Sequence, residues 1–305
     1  MTSLPPRVTL VEVGPRDGLQ NEAAPITTAD KIALIDALAG AGHTRIEAGA
    51  FVRAKWVPQM ADAEAVFAGI SRKPGVRYSA LVPNLAGLER AAAAGAREVA
   101  VFAAASETFS RRNINASIAE SLTRYADVAK AAAAAGMRVR GYVSTAFGCP
   151  FEGRVEPARV IDVTRALFAM GADEVAISDT IGIAHPGQVR ALVADVAAAL
   201  PDMARTAIAL HFHDTRGTAL VNVYAAMTEG VTVFDCSAGG LGGCPYAPGA
   251  AGNLATEDLL FVLDGLGIST GVDRARVTAA SRALEPKLGH PLPSRLLQAD
   301  RASTT

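Results

Sequence analysis

Two histidines stand two residues apart in the segment AIALHFHD, at the end of an apolar run that is typical of a strand. Side chains of a strand alternate between its faces, so His211 and His213 are expected to point the same way. Asp17 directly follows another strand-like run in VEVGPRDGLQNE, and Asn253 lies in a later loop. Two imidazoles with two oxygen ligands suit Mg²⁺ or Mn²⁺, and suit Zn²⁺ less well without a thiolate. Such a cation would act as a Lewis acid on a substrate hydroxyl and carbonyl.

Each of these four residues also has an ordinary structural interpretation. An isolated histidine is more often structural or at the surface, Asp17 could cap a turn or a helix, and Asn253 could be a plain loop residue. The chain has five histidines, and two of them occur in this one motif. All four residues lie at the end of a predicted strand or in the loop that follows one, and this shared position favours a metal site.

The elements that would carry these residues alternate regularly along the chain. Short β-branched runs are separated by alanine-rich amphipathic stretches of roughly ten to eighteen residues. Strands are predicted at 8–13, 45–50, 78–82, 98–102, 139–144, 174–178, 207–213 and 231–236. Helices are predicted at 28–41, 59–70, 85–94, 118–135, 157–170, 186–200, 218–228 and 255–266.

About eight βα units predict an α/β fold, the (β/α)₈ TIM barrel, rather than a doubly wound sheet. No G-x-G-x-x-G motif follows the first strand, which also disfavours a dinucleotide-binding sheet. We expect one catalytic domain over 1–305, with the barrel at about 8–270 and one or two extra helices in a C-terminal extension at about 271–305. In such a barrel the functional groups lie at the C-terminal ends of the strands. Strands one and seven flank strand eight, so Asp17, His211 and His213 can converge.

Composition excludes several classes of partner. The formal net charge is −1 and half of the residues are hydrophobic, so neither nucleic acid nor an anionic membrane is an expected partner. No apolar run approaches the roughly 18 residues of a membrane span. The three cysteines show neither disulfide nor zinc spacing, and the N-terminus resembles neither a secretory nor a transit signal. These features predict a cytoplasmic protein.

Longer motifs carry a family resemblance that extends from about residue 8 to residue 270. They are VEVGPRDGLQNE, FVRAKWVPQMADAEAVF, RRNIN, RGYVSTAFGCPFEG, SDTIGIAHPGQV, HFHDTRG and GLGGCPYAPGAAGNLATEDL. In this order they resemble the 3-hydroxy-3-methylglutaryl-CoA lyase family. The resemblance implies a (β/α)₈ barrel, a divalent Mg²⁺ or Mn²⁺ cofactor, and cleavage of that acyl-CoA into acetyl-CoA and acetoacetate. We also expect a homo-oligomer, a dimer or tetramer.

The resemblance also implies roles for individual residues. The metal ligands would be Asp17, His211, His213 and Asn253. Arg16 would stabilise the developing enolate of the thioester, and we expect Glu47, at the end of strand two, to hold it. Cys244, in the glycine-rich loop GLGGCPY, would deliver a proton to that enolate.

Asp179, at the end of strand six, would orient a ligating histidine or relay the hydroxyl proton. The expected acyl contacts are Gln20, Tyr142 and Thr180, and the expected CoA contacts are Arg111, Arg112 and Asn113. A solvated basic turn is the alternative for the two arginines. Cys236 is expected in the core, whereas the place of Cys149 is left open.

Two departures from the family pattern bear on specificity. Where the family usually has a Thr-Ser pair before Phe-Val, this chain has Ala48, Gly49 and Ala50 before Phe51, and Arg53 replaces a common serine. The glycine-rich segment SAGGLGGCPY, which is a mobile flap in the family, is slightly altered at Ala238 and Gly239. Loss of hydroxyl groups beside the acyl pocket would leave more room, so we expect preference for, or acceptance of, a larger substituent at C3.

Two other functions remain open. A condensing synthase of the citramalate or isopropylmalate type would use the same metal barrel, but it is expected to lack the GLGGCPY loop and to carry a further regulatory domain. A silent barrel that only binds CoA is the other possibility. Leucine breakdown, ketone-body supply and isoprenoid degradation are all compatible pathways for a lyase.

Overall fold

The computed structural model describes residues 4–204, 207–243 and 252–302. Eight parallel strands close into a barrel in which every strand pairs with its neighbours in sequence, and β8 pairs with β1. The strands are β1 (Thr9–Glu12), β2 (Arg45–Ala50), β3 (Arg77–Leu81), β4 (Glu98–Ala104), β5 (Arg138–Ser144), β6 (Glu174–Asp179), β7 (Ile208–Phe212) and β8 (Val233–Cys236). The (β/α)₈ prediction is confirmed.

Helices surround this barrel. They are α1 (Thr28–Gly40), α2 (Ala63–Gly69), α3 (Leu85–Ala93), α4 (Glu107–Ile114), α5 (Ile118–Ala134), α6 (Pro157–Ala169), α7 (Pro186–Ala199), α8 (Pro201–Ala204), α9 (Ala219–Thr228), α10 (Thr256–Gly265), α11 (Arg274–Leu288) and α12 (Arg295–Ala302). Of the helices in these described ranges, none is long and apolar enough to span a membrane.

Local sequence explains where the helices begin and end. The Thr27 side chain accepts a hydrogen bond from the Asp30 amide at the start of α1, and Ser117 with Glu120 forms a capping box on α5. After α1, Gly42 has a φ of +107°, and a Cβ there would lie 2.3 Å from the Gly271 carbonyl oxygen. Only glycine fits this turn into β2.

The main hydrophobic core lies between the strands and the helices, and its buried residues run from Val8 to Leu297. The barrel interior is different. Arg45 of β2 pairs with Glu174 of β6 at 2.8 Å, so this ion pair crosses the barrel between opposite strands. Among the described residues, a small apolar cluster separate from the main core has one buried residue each from β4, β5, β6 and β7: Ala100, Tyr142, Ala176 and Ala209.

Three predictions about the elements were wrong. Glu47 is the third residue of β2 and not at its end. Helix α4 was missed, so Arg111, Arg112 and Asn113 lie on a helix rather than in a basic turn. The sequence of this helix, ETFSRRNI, is mostly polar, and an apolar pattern therefore does not reveal it. Helix α2 begins at Ala63, after a 3₁₀ turn at Pro58–Met60.

Two helices follow the barrel. Helix α11 packs against α1 and α10, and α12 packs against α10. Asp258 of α10 accepts hydrogen bonds from the amides of Arg295 and Leu296 and from the Ser294 hydroxyl, and thereby caps α12. The C-terminal segment is thus fixed beside the loop that follows β8.

Candidate metal centre

Three predicted ligands meet at the C-terminal end of the barrel. Asp17 lies in the turn Gly14–Gly18 after β1, His211 is the fourth residue of β7, and His213 directly follows that strand. One ligand atom from each of the three lies within 4.8 Å of those of the other two. The alternation of a strand accounts for the two histidines, whose ring centroids are 5.2 Å apart.

Asn253 lies against the same group. It forms a backbone bridge with His213, and its side-chain nitrogen donates to the Leu241 carbonyl at 3.0 Å. Among the described residues, neither Asn253 Oδ1 nor His213 Nδ1 has a hydrogen-bond partner, although both atoms are buried. Buried acceptors without a donor are costly unless something else satisfies them. A divalent cation would satisfy them, so the residues present fit a metal ion.

His211 is oriented by an acid that the sequence analysis missed. Its Nδ1 lies 3.1 Å from Asp235 Oδ2 in β8, while its Nε2 faces Asp17 at 4.0 Å. The Asp235 carboxylate fixes the proton on Nδ1 and leaves the Nε2 lone pair for a cation. Burial opposes ionisation of Asp235, but Arg140 outweighs it and lowers the pKa of this carboxyl. A buried acid in the strand VFDC was the available signal.

Asp179, predicted as an orienting or proton-relay residue, makes other contacts. Its two carboxylate oxygens accept hydrogen bonds from the amides of Ile183 and Ala184, each at 2.9 Å. Burial raises the pKa of Asp179. His211 Nδ1 donates its hydrogen bond to Asp235 and not to Asp179.

The protonation states of the ligands suit a cation. Burial and the neighbouring His211 lower the pKa of His213 to about 4, so its imidazole is neutral near pH 7. Burial alone would raise the pKa of Asp17, but Arg16 and the two histidines outweigh it and lower the pKa. A neutral imidazole and an ionised carboxylate are the forms that bind metal.

Arg16 lies beside the ligands and is only 6% exposed. Its Nε donates to Glu47 Oε1 and its Nη1 to Asp17 Oδ1, both at 2.5 Å. Burial works against the charge, but the two carboxylates raise the pKa of Arg16. The guanidinium is therefore a fixed positive charge that adjoins the metal ligands.

Tyr142 supports this arginine. Its hydroxyl donates to Glu47 Oε2 at 2.7 Å, and the Arg16 guanidinium lies 5.8 Å from its ring centre. The edge of the ring meets His211 with a centroid distance of 6.2 Å. Burial raises the pKa of Tyr142, so the hydroxyl keeps its proton.

A further arginine that the sequence analysis missed lies below these residues. Arg140, 1% exposed, donates to both oxygens of Asp235, to Glu174 Oε1 and to the Tyr142 hydroxyl. One guanidinium thus contacts the acid that orients His211 and the tyrosine that holds Glu47. Alternating charged and apolar residues in RVRGYVS were the signal for charged side chains inside the barrel.

The other predicted contacts are spread around the rim. Gln20 is half-buried just after the Gly14–Gly18 turn, and Thr180 accepts a hydrogen bond from the Thr145 amide at 2.7 Å. Asn113 is exposed on α4. On the same helix Arg111 pairs with Glu107, and Arg112 lies 4.3 Å from the ring centre of Phe151.

The cysteines fall into different environments. Cys236 is fully buried in the core, and Cys149 is buried with its sulfur 3.0 Å from the Ser106 hydroxyl. The predicted catalytic Cys244 lies outside the described residues. Gly243, which precedes it, accepts a hydrogen bond from the Asn21 side chain.

The departure in β2 faces a different direction from the one expected. A Cβ at Gly49 would lie 3.7 Å from Ala63 and from Phe67, both on α2. A register shift between Glu47 and Gly49 explains this orientation. Position 49 therefore faces a helix and not the acyl pocket, and its missing side chain does not enlarge the site. Ala48 and Ala50 are buried in the main core.

Fold and site together define a class of protein, a (β/α)₈ barrel with a candidate metal centre at its C-terminal end. The family model described as HMGL-like matches residues 7–284. The chain belongs to the HMGL-like family.

Relatives with named activities support this membership. A Pseudomonas aeruginosa protein named 3-hydroxy-3-isohexenylglutaryl-CoA/hydroxy-methylglutaryl-CoA lyase is 54% identical over 97% of this chain and 98% of its own length. A crystal structure of hydroxymethylglutaryl-CoA lyase from Pseudomonas aeruginosa aligns with a TM-score of 0.95 at 54% identity, over 98% and 99% of the two chains. An HMG-CoA lyase from Acinetobacter baumannii, solved with coenzyme A and 3-methylmalate, aligns at 0.91 and 40% identity over 98% and 97%.

Proposed function

We propose that the protein is a divalent-metal-dependent carbon–carbon lyase that cleaves 3-hydroxy-3-methylglutaryl-CoA into acetyl-CoA and acetoacetate. The observation that carries this proposal is the convergence of Asp17, His211 and His213 beside the buried cation Arg16. The lyases named above, similar over nearly the whole chain, support the same reaction.

The metal would be held by Asp17, His211, His213 and Asn253. When bound, a Mg²⁺ or Mn²⁺ ion supplies Lewis-acid polarisation of the substrate's C3 hydroxyl and neighbouring oxygen. The two imidazoles and two oxygen ligands favour these ions over Zn²⁺. Asp235 keeps the His211 lone pair directed at this position.

The reaction removes the C3 hydroxyl proton and breaks the C2–C3 bond. Its electron pair passes to C2 and the thioester oxygen as an enolate, while C3 becomes the ketone of acetoacetate. Arg16, fixed by Glu47 and Tyr142, stabilises the enolate oxygen as its negative charge develops. Protonation of C2 then yields acetyl-CoA.

Two residues are assigned to the proton steps. Asp179 accepts the hydroxyl proton, and burial, which raises its pKa, makes it a stronger base than an exposed carboxylate. Cys244 delivers the proton to C2, an assignment that rests on the family resemblance of GLGGCPY. Gln20 and Thr180 are assigned to the acyl group. Asn113, with Arg111 and Arg112, is assigned to the CoA phosphates.

Acetoacetate release from 3-hydroxy-3-methylglutaryl-CoA tests the proposal. We expect release that stops with EDTA and returns when Mg²⁺ or Mn²⁺ is added in excess. Metal-independent release would contradict the metal centre, and no release with this or a longer-branched substrate would contradict the lyase. Condensation of acetyl-CoA with a 2-oxo acid would instead identify a synthase.

A larger substituent at C3 is the second candidate substrate. The Pseudomonas relative whose name includes the isohexenyl substrate supports it. Gly49 does not, because it faces α2 and its missing side chain adds no room to the acyl pocket. Comparison of kcat/KM for the methyl substrate and an isohexenyl analogue decides the question. A preference for methyl of more than a hundredfold would reject this candidate.

Three further proposals concern the whole chain. One domain over 1–305 is supported by a single main core, which includes residues of both C-terminal helices. A homo-oligomer, either dimer or tetramer, is supported by large apolar side chains on the adjacent helices α9 and α10, where Val221, Tyr224 and Phe261 are about half exposed. A cytoplasmic location is supported by the free, buried thiols of Cys149 and Cys236. Light scattering and cell fractionation test the last two.

A further inference from the structure

Two loops that position candidate metal ligands lie in close contact. One is the Gly14–Gly18 turn with Asp17, and the other is the segment 237–241, whose Leu241 carbonyl holds the Asn253 side chain. A Cβ at Gly14 or at Gly18 would lie 3.0 Å from the Ser237 hydroxyl, and at Gly18 only 2.7 Å from Leu241 Cβ. The two loops are therefore in direct contact.

One buried carboxyl group bonds to both loops. Glu12, the last residue of β1, is 0% exposed. Its Oε1 accepts hydrogen bonds from the Gly14 amide at 2.8 Å and from the Ala238 amide at 2.9 Å. Its Oε2 accepts from the Thr256 hydroxyl at 2.7 Å. Gly14 begins the turn that carries Asp17, and Ala238 lies in the segment 237–241. Thr256 begins helix α10, three residues after Asn253.

No described contact joins Glu12 to a substrate-facing or ligating atom. Its three described hydrogen-bond partners are two backbone amides and one hydroxyl, all buried, and each would lose its acceptor if the carboxyl group were removed. His43 Nε2 also lies 3.7 Å from Glu12 Oε2, beyond hydrogen-bond distance. The two amides would then have to turn toward other acceptors. That rotation of the amides would move the Gly14–Gly18 turn, which carries Asp17, away from the segment 237–241, which holds the Asn253 side chain.

We propose that Glu12 is a positioning residue for the metal centre, which sets the distance between Asp17 and Asn253 by bonding to Gly14, Ala238 and Thr256. This inference rests on the proposed metal site. Residues outside the ligand set that orient ligands typically change metal affinity by about 10–100-fold when removed.

A matched pair of buried acids makes the inference testable. Glu257 is also 0% exposed and accepts from the Gly239 amide and the Ser281 hydroxyl, on the other side of the same segment. Its described hydrogen bonds do not reach the Gly14–Gly18 turn. Glu257→Met thus removes an equally buried acceptor without freeing the turn of Asp17.

The experiment is a Mn²⁺ titration of the metal-stripped full-length protein, with free Mn²⁺ measured by electron paramagnetic resonance. We expect Glu12→Met to weaken Mn²⁺ binding about tenfold or more, consistent with an orienting role. Glu12→Gln keeps an oxygen for the two amides and a polar group for Thr256, so its Kd should stay within about twofold of wild type. Glu257→Met should also bind like wild type, even if its Tm falls.

Circular dichroism and thermal unfolding show which variants are folded at the temperature of the titration. If Glu12→Met does not fold, Thr256→Val takes its place, and at least threefold weaker binding is expected from the loss of one hydrogen bond to Glu12. Equal weakening by the Glu12 and Glu257 variants, or none by either, would overturn the inference. Failure of the wild-type protein to bind Mn²⁺ would instead reject the proposed metal site.

Discussion

At the scale of single residues, the candidate site depends on how each ligand is held. His211 has its Nδ1 against Asp235, which frees Nε2, while Asn253 uses its amide nitrogen on Leu241 and leaves its oxygen free. Arg16 is held by two carboxylates and a tyrosine ring. Each of these three groups thus has a second contact that fixes its direction toward the proposed cation or the proposed enolate.

The first prediction concerns Asp235. Asp235→Asn retains the shape but removes the charge that fixes the His211 proton and pairs with Arg140. We expect Mn²⁺ affinity to fall by about 10–100-fold, measured by calorimetry. Asp179→Asn is the control, because Asp179 bonds to backbone amides and not to His211. Unchanged affinity in Asp235→Asn would contradict the tautomer assignment.

The second prediction separates binding from chemistry. His213→Ala removes a ligand and should abolish Mn²⁺ binding and turnover together, because His213 supplies one of the ligand atoms of the cluster. Cys244→Ala should lower kcat by about 100-fold or more, as loss of a general acid does, with Mn²⁺ affinity nearly unchanged. Parallel metal titrations and steady-state kinetics check both variants. Normal turnover in Cys244→Ala would remove this cysteine from the mechanism.

At the scale of elements, the strands bring charged side chains into contact with one another inside the barrel. Glu174 of β6 pairs with both Arg45 of β2 and Arg140 of β5. Arg140 also pairs with Asp235 of β8, which contacts His211 of β7. Such pairs fix geometry more than they add stability, because desolvation offsets much of their attraction. Removal of one partner is a different matter, since it leaves buried charge without compensation.

The third prediction follows from these interior ion pairs. Arg140→Met should destabilise the fold by about 3–5 kcal/mol, because Glu174 and Asp235 lose their shared buried cation. Urea unfolding followed by circular dichroism measures the change. Arg138→Met, half exposed on the same strand, should cost about 1 kcal/mol or less. Equal costs for the two variants would contradict the structural role of the interior charges.

The sequence predicts the elements well where local signals are strong. Predicted strand 45–50 matches β2 to the residue, since Ile46 and the two alanines lie in a short segment that begins just after the glycine turn at Gly42. Helix α4 escapes prediction because its buried face consists of only two residues, Phe109 and Ser110. The orientation of Gly49 also escapes prediction, because a register shift between two strands is a tertiary event.

At the scale of the whole molecule, ligands from the two ends of the chain meet because the barrel closes. Asp17 follows β1 and Asn253 follows β8, and these strands pair directly. Sequence motifs predict the ligands one by one, and the closed eight-strand order explains their convergence. Asp235, Arg140 and Glu12 are visible in the sequence as charged residues of predicted strands, but their roles depend on partners that only the folded structure brings together.

The fourth prediction is a dependence of global stability on pH. Burial raises the pKa of Glu12 to about 8 and that of Glu257 to about 7, from an ordinary value of 4.5. The folded state therefore keeps protons that the unfolded state has already lost. Stability is fully present below pH 4.5 for these groups and falls as pH rises toward 8, by at most about 1.4 kcal/mol per pH unit for each group.

Glu12→Gln isolates the contribution of one group. His43 lies 3.7 Å from Glu12, but burial lowers its pKa to about 4, so it is neutral over this window. Unfolding free energies at about pH 5, 6.5 and 8 should decrease more steeply in wild type than in Glu12→Gln. Parallel curves for the two proteins would show that Glu12 titrates normally.

The central claim is that cleavage takes place at a metal bound by Asp17, His211, His213 and Asn253. The most direct test is a titration of metal-stripped enzyme with Mn²⁺ while acetoacetate release from 3-hydroxy-3-methylglutaryl-CoA is measured. We expect no release without metal, and activity that rises in proportion to bound Mn²⁺ until one ion is bound per chain. Full activity in the metal-free protein would contradict the account.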